Sequence, residues 1–399
     1  LILFIPHSII LGNYVLNLNI AVVISFGIFK YYKKILKETN LYKYQILLLL
    51  IILVINIFLS QSPLITSKGV LGLIKHLFLF LFLYFWFSEN KSNFILFLLS
   101  SSFGILFVSL SVIFELVYNI LNQISYDRLS GFFYEEKIAG SYITKLLFFI
   151  IIFLFLEKKK KYFFLIFSFV MISVLLTGDR TPIFMSIIST SLILFLDHKL
   201  NFKKKTKFMF ISLLILCSVF VLSNNLKLKL LYTSEQLGFS ATSRVLYYIN
   251  NNIFNIYDKK ENFEDYTQRR NNNVEKSFFN TKWSAHFAQA YEIGKNNLIF
   301  GSGIKSFRYE CSNKKYTNNF LKKFDYNYSC STHPHNIYFE IFSETGLSGL
   351  IIFIYIIIKT LKNILTITSG RIRNFLLGSM IILFFPFQPT GSFFSLEAQ

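Results

Sequence analysis

Cysteine, proline and acid are all in short supply here: three Cys, six Pro and 21 Asp plus Glu in 399 residues. No CxxC spacing occurs, so no cysteine-pair metal motif is present. Charged residues make up only 16% of the chain, 53% is hydrophobic, and the mean hydropathy is +0.50. That balance excludes a soluble domain of this size and points to an all-α polytopic integral membrane protein. No internal repeat is visible, and no soluble domain stands outside the apolar segments. Phe, Ile, Leu, Asn and Lys dominate while Ala is sparse, the bias an AT-rich genome gives, so part of the +20 net charge is compositional. The chain opens on Leu1 and stops on Gln399, which reads as a fragment at both ends. Cys217 lies in an apolar run and reads as core, whereas Cys311 and Cys330 share a polar region and can pair if it faces an oxidising compartment.

A spanning helix needs about 20 largely apolar residues. That length predicts about eleven transmembrane segments: Leu1–Leu11, Tyr14–Phe29, Tyr44–Leu59, Leu64–Phe87, Phe94–Asn119, Ile138–Leu156, Tyr162–Leu176, Pro182–Leu196, Phe208–Leu222, Ile337–Ile358 and Phe375–Phe393. Three regions follow: an N-terminal helix bundle (1–224), a large loop between helices 9 and 10 (225–334) and the C-terminal helices (335–399).

The short loops carry charge unevenly. Residues 30–43 hold five lysines, "EKKKKY" four, Asp197–Lys207 five, and Lys359–Arg373 four basic residues. All follow even-numbered helices, and by the positive-inside rule they are cytoplasmic. The outer face then receives the loop around Asp127–Lys137, the turn "TGDRTP" and the segment Leu226–Pro334. This last segment holds sixteen Lys/Arg against nine Asp/Glu. Within it, "TKWSAHFAQAYEIGKNN" has apolar residues at helical spacing and predicts an amphipathic helix. "IFGSGIKSF" then reads as a glycine-bearing turn. The segment reads either as a solvated cap or as a lid whose positive field attracts an anionic substrate.

Polar groups concentrate where the tenth segment begins, in "STHPHNIYFEIFSETGLSGL". Ser331 or Thr332 can cap that helix, with Pro334 in its first turn. His335 at its outer end can act as a general base, with His333 and Asn336 beside it; the alternative is an interfacial anchor. Glu340 and Glu344 share a face with Asn336, and a carboxylate this deep needs a partner or a polar cavity. On a straight helix Glu344 would stand nearly opposite His335. Gly346 and Gly349 either break the helix or act as small packing points.

"LLTGDRTPIF" sets Arg180 in a tight outer turn, with Pro182 opening the next helix. A guanidinium beside free helix N–H groups suits a phosphate; the plain alternative is an Asp179–Arg180 surface pair. Lys75 and His76 fall mid-span in "LIKHLFLFLF", where cations are functional candidates. "RLSGFFYEEKIAGSYI" adds Arg128, Glu135, Glu136 and Lys137, a mixture that fits a polar headgroup or a simple loop.

The spacing of His335-Asn336, nine residues, Gly346, two residues and Gly349 resembles the motif of the bacterial O-antigen ligases and the related O-antigen polymerases. "LTGDRT" resembles that family's "TGSR" turn, with Asp179 in place of Ser, and "NNLIFGSGIKSF" resembles its stretch before the histidine motif. The resemblance implies a GT-C-like glycosyltransferase that needs no metal or other cofactor. It would work at the periplasmic face of the inner membrane on a glycan carried by undecaprenyl diphosphate. The acceptor would be lipid A–core for a ligase, or a second lipid-linked glycan for a polymerase; no nucleic acid is involved. His335 would take the acceptor proton and Arg180 would hold the diphosphate. Family members often carry an Arg where the loop's amphipathic helix begins. Trp283 stands near that place, with Lys282 adjacent and His286 one turn on; Arg244 is the other candidate for a second phosphate ligand. A lipid-linked oligosaccharide flippase or other transporter is the competing class. It accounts for many helices and Lys75, but not for a 110-residue outer segment without an internal repeat.

Overall fold

The computed structural model describes residues 1–39, 43–60, 62–122, 128–133, 136–157, 163–196, 282–323 and 329–386. These fold into helices α1 (Ile5–Ile10), α2 (Asn13–Thr39), α3 (Lys43–Leu59), α4 (Pro63–Glu89), α5 (Lys91–Leu121), α6 (Ala139–Leu156), α7 (Phe163–Leu176), α8 (Arg180–Leu196), α9 (Lys282–Asn296), α10 (Phe307–Glu310), α11 (Ile337–Leu365) and α12 (Gly370–Phe384), with short 3-10 turns between some of them. No strand occurs among the described residues.

Among the described residues five helices are long and apolar enough to cross a membrane: α2 over Asn13–Ile35, α4, α5, α6 and α11. α3, α7 and α8 contribute shorter apolar stretches. The expected ninth segment, Phe208–Leu222, lies outside the described residues, as do the loop's residues up to 281. Three expected boundaries are corrected; the tenth segment does not end at Ile358 but continues to Leu365. The second segment does not end at Phe29 but continues to Thr39, so Lys30, Lys33, Lys34 and Lys37 ride on helix rather than loop. The eleventh helix is Gly370–Phe384, not Phe375–Phe393; Ser369 precedes it, and Phe385 is extended ahead of Pro386.

Local chemistry sets several helix starts. Pro63 opens α4 at a position where its missing N–H costs nothing. Asn90 caps α5, its side chain accepting from Ser92 N at 2.9 Å. Along α5 the buried Ser101, Ser102, Gly104 and Ser109 keep one face thin, allowing close helix approach. A Cβ on Gly104 would stand 2.5 Å from the Tyr142 hydroxyl of α6.

The largest core joins α5, α6, α7, α8 and α12 through residues such as Ile105, Val112, Ile143, Phe148, Val174 and Phe375. A second joins α3, α4 and α11 through Leu53, Val70, Ile337, Ile341 and Phe353, and it includes Ile304 from the turn after α9. A third, Ala290, Ile293, Phe307, Cys311 and Tyr316, lies within 282–323 itself. The region predicted as one large loop therefore has a packed core over 282–323, and α9 matches the predicted amphipathic helix.

Candidate functional site

Asn336, not Ser331 or Thr332, caps α11. Its Oδ1 accepts from Tyr338 N at 3.0 Å and Phe339 N at 3.2 Å. Pro334 and His335 thus lie before the helix. An Asn with extended backbone presents its side-chain oxygen to the first free N–H groups better than a hydroxyl several residues upstream. The same side chain also works from its other end: Asn336 Nδ2 donates to Pro386 O at 2.6 Å. Tyr338 Oη donates to Phe384 O at 2.6 Å. The end of α12 is thereby tied to the start of α11.

His335 adopts left-handed backbone, φ 59°, a conformation that disfavours L side chains but that His visits more than most. It turns the imidazole off the helix axis and into a cluster of rings. Trp283 meets it edge-on at 4.8 Å, His286 stacks on it at 5.3 Å, and His333 lies 4.1 Å away. His333 is held in turn: Ser331 Oγ donates to its carbonyl, and Thr332 Oγ1 lies 2.9 Å from its Nδ1. α9 delivers Trp283 and His286 by packing on the first half of α11. Phe287 stacks on Phe339 at 5.1 Å, and Phe342 sits where a Cβ on Gly294 would be. Lys282 opens α9 and is exposed.

Gly346 breaks α11. Its φ 67°, ψ −163° are non-helical, so Leu347 N and Ser348 N lose Ser343 O and Glu344 O as partners. The "FGSG" turn supplies replacements. Ser302 N donates to Ser343 O at 3.0 Å and Gly303 N to Glu344 O at 3.0 Å. In return Leu347 N donates to Leu298 O at 2.8 Å and Ser348 N to Ile299 O at 3.1 Å. Two broken helical bonds become four bonds to the turn. Of the expected glycine pair, Gly346 is the break; Gly349 stays helical.

Glu344 completes this joint. Its buried carboxylate accepts from Lys305 N at 2.6 Å and Phe307 N at 3.3 Å, which fastens the turn. Asn56 of α3 reads the same turn from the other side, donating to Phe300 O at 2.7 Å and Glu344 O at 2.8 Å and accepting from Ile304 N at 3.0 Å. Cys311 and Cys330 form a disulfide, which ties the chain five residues before His335 to α10.

Arg180 is the first residue of α8 rather than a member of the turn before it. The start of α8 adjoins the α12 end, because Phe184 meets Phe385 edge-on at 6.3 Å. Phe385 precedes Pro386, whose carbonyl holds Asn336. A continuous path of contacts therefore runs from the opening of α8 to His335. Asp179 pairs with Arg128 at 3.0 Å. Leu129 N donates to Thr177 O at 3.3 Å, and Gly140 of α6 rests against Thr177 and Asp179. Lys137 is exposed just before α6. Lys75 belongs to another neighbourhood, donating to Asn17 Oδ1 of α2 at 2.8 Å. Arg244 lies outside the described residues.

Several polar groups escaped the sequence reading. Asn56, Glu115 and Lys145 all stand inside apolar runs, and that position was the available signal. Glu115 accepts from Ser130 N at 2.8 Å and Gly131 N at 2.5 Å, holding the 128–133 turn onto α5. Lys145 follows Thr144, whose hydroxyl lies 3.2 Å from Ser186 Oγ of α8. Among the described residues no His/Cys/Asp/Glu group has metal-site geometry.

Residues 162–354 match the family model described as O-antigen ligase, a span that includes the opening of α8, the histidine cluster and the broken helix. No curated protein matches the chain.

Proposed function

We propose that this chain, which belongs to the O-antigen ligase family through residues 162–354, moves a glycan from a polyprenyl diphosphate to an acceptor hydroxyl at the outer face of the inner membrane. The observation that carries this reading is His335: off the helix, in left-handed backbone, and fixed among Trp283, His286 and His333. A ring so oriented can take the proton of an incoming hydroxyl. The diphosphate leaves with its charge balanced by Arg180 and the free N–H groups at the start of α8, so neither a protonating acid nor a metal is required. The contacts through Phe184, Phe385, Pro386 and Asn336 support one site for both halves of the chemistry.

The orientation rests on the lysine-rich loops, and the Cys311–Cys330 disulfide fits an oxidising, periplasmic side. The His335-Asn336 to Gly349 spacing favours a ligase, with lipid A–core as acceptor, over a repeat-unit polymerase.

The test is complementation by His335→Ala and Arg180→Ala chains in ligase-null and polymerase-null hosts. Loss of glycan transfer at normal membrane levels supports the assignment, and full activity of both variants overturns it. Restored capping of lipid A by the unaltered chain identifies a ligase; restored growth of single-repeat glycans identifies a polymerase.

A further inference from the structure

Arg128 lies in the outer turn between α5 and α6, and its guanidinium reaches Asp179 at 3.0 Å. This ion pair is not what holds the turn in place. Glu115 accepts from Ser130 N at 2.8 Å and from Gly131 N at 2.5 Å. Ser111 Oγ accepts from Phe132 N at 3.0 Å, and Leu129 N donates to Thr177 O at 3.3 Å. Leu129 itself is buried in the largest core. Beside that anchorage, one ion pair from an arginine side chain 43% exposed adds little stability.

Asp179 is placed differently. Its side chain is only 12% exposed, and it packs on α6, where a Cβ on Gly140 would stand 3.3 Å from both its Cβ and its Oδ2. Asp179 O accepts from Ile183 N at 3.3 Å, so the residue stands at the opening of α8, directly before Arg180. A carboxylate so largely removed from water needs a counter-charge. At this point it also subtracts from the positive charge that Arg180 and the start of α8 offer an anion. Arg128 supplies a second cation from another part of the chain. With it, the three side chains keep one net positive charge at the opening of α8; without it, the charges of Asp179 and Arg180 cancel.

We propose that Arg128 is a positioning residue: it takes up the charge of Asp179, so that the opening of α8 stays net positive toward an anionic leaving group. This role rests on the transfer reading above. It adds a residue that acts through Asp179 rather than on the substrate.

Purified full-length chains are assayed for glycan transfer over a range of lipid-linked glycan, extracted from the null host that the unaltered chain complements, with thermal melts alongside. R128Q is expected to lower kcat/KM about tenfold, most of it in KM, because the uncompensated carboxylate opposes the substrate anion. D179N should stay within about threefold of the unaltered chain. R128Q/D179N should return to that level, since no acid is then left to offset. R128K keeps the charge and should fall by no more than about threefold. Melting temperatures should agree within about 3 °C throughout. An unchanged KM in R128Q overturns the role. A double variant no better than R128Q also overturns it and makes Arg128 a direct substrate contact. D179N as poor as R128Q, with both melting lower, overturns it in favour of a structural staple. Full activity of His335→Ala would sink the proton-transfer reading while leaving this comparison readable, so the two fail separately.

Discussion

Gly301 and Gly346 stand backbone against backbone. A Cβ on Gly346 would lie 2.6 Å from Gly301 N, and a Cβ on Gly301 would strike the peptide between Glu344 and Thr345. Both residues have positive φ, 71° and 67°. The turn that follows α9 and the break within α11 are thus two halves of one joint.

Alanine at either glycine meets opposing backbone, which cannot swing aside as a side chain could. Gly301→Ala and Gly346→Ala should each cost about 1–3 kcal/mol or more, read as a lowered unfolding temperature of the purified chain. Gly72→Ala is the control: no atom lies within 4 Å of its Cβ position, and stability should hold or rise slightly.

Asn56 makes three hydrogen bonds to the joint from α3. Asn56→Leu should cost about 2–4 kcal/mol, since each bond is worth roughly 1 kcal/mol and the freed carbonyls stay buried. Faster amide exchange at Ile304 would report the loosened turn.

His335→Ala should leave α11 intact, because Asn336 carries the cap, and should lower glycan transfer by about 10²–10⁴-fold. Asn336→Ala should instead fray the helix start and cost about 1 kcal/mol. Transfer assays beside thermal melts separate the two.

Reduction, or Cys330→Ser, removes a link between residues 19 apart. About 3 kcal/mol of stabilisation of the segment before α11 should go with it, read as protease cleavage between Cys311 and Cys330 under reducing conditions.

Glu310 supplies the pH dependence. Burial pushes its carboxyl above the ordinary value of 4.5, against the smaller opposing effects of Tyr316, Lys315 and Asn313. A folded value above the unfolded one means that the stabilising contribution is whole below about pH 4.5 and fades as pH rises through the folded value. Amide exchange over 307–316 should therefore quicken with rising pH beyond its intrinsic rate, and Glu310→Gln should remove the excess.

The helices were largely legible because apolar runs of spanning length admit few alternatives: α4, α6 and α7 lie within a few residues of their expected bounds. The extra turns of α2 were not legible, since a lysine-rich stretch reads equally as loop or helix. At the site, His335 and the glycine spacing were visible as a pattern. Their geometry was not, because it depends on pairings between residues far apart in the chain, such as Gly303 with Glu344. The partners of Glu344 were not legible, because a buried carboxylate announces itself in the sequence while the backbone N–H groups that donate to it do not.

The joint also imposes an order on synthesis. The turn at 298–303 is made before the helix it completes. When α11 emerges, its break at Gly346 would leave two donors and two acceptors bare in an apolar medium unless the turn already waits beside α3. Residues 282–323 thus act as a template built into the chain: α11 can settle into the membrane with its bend only after they have folded.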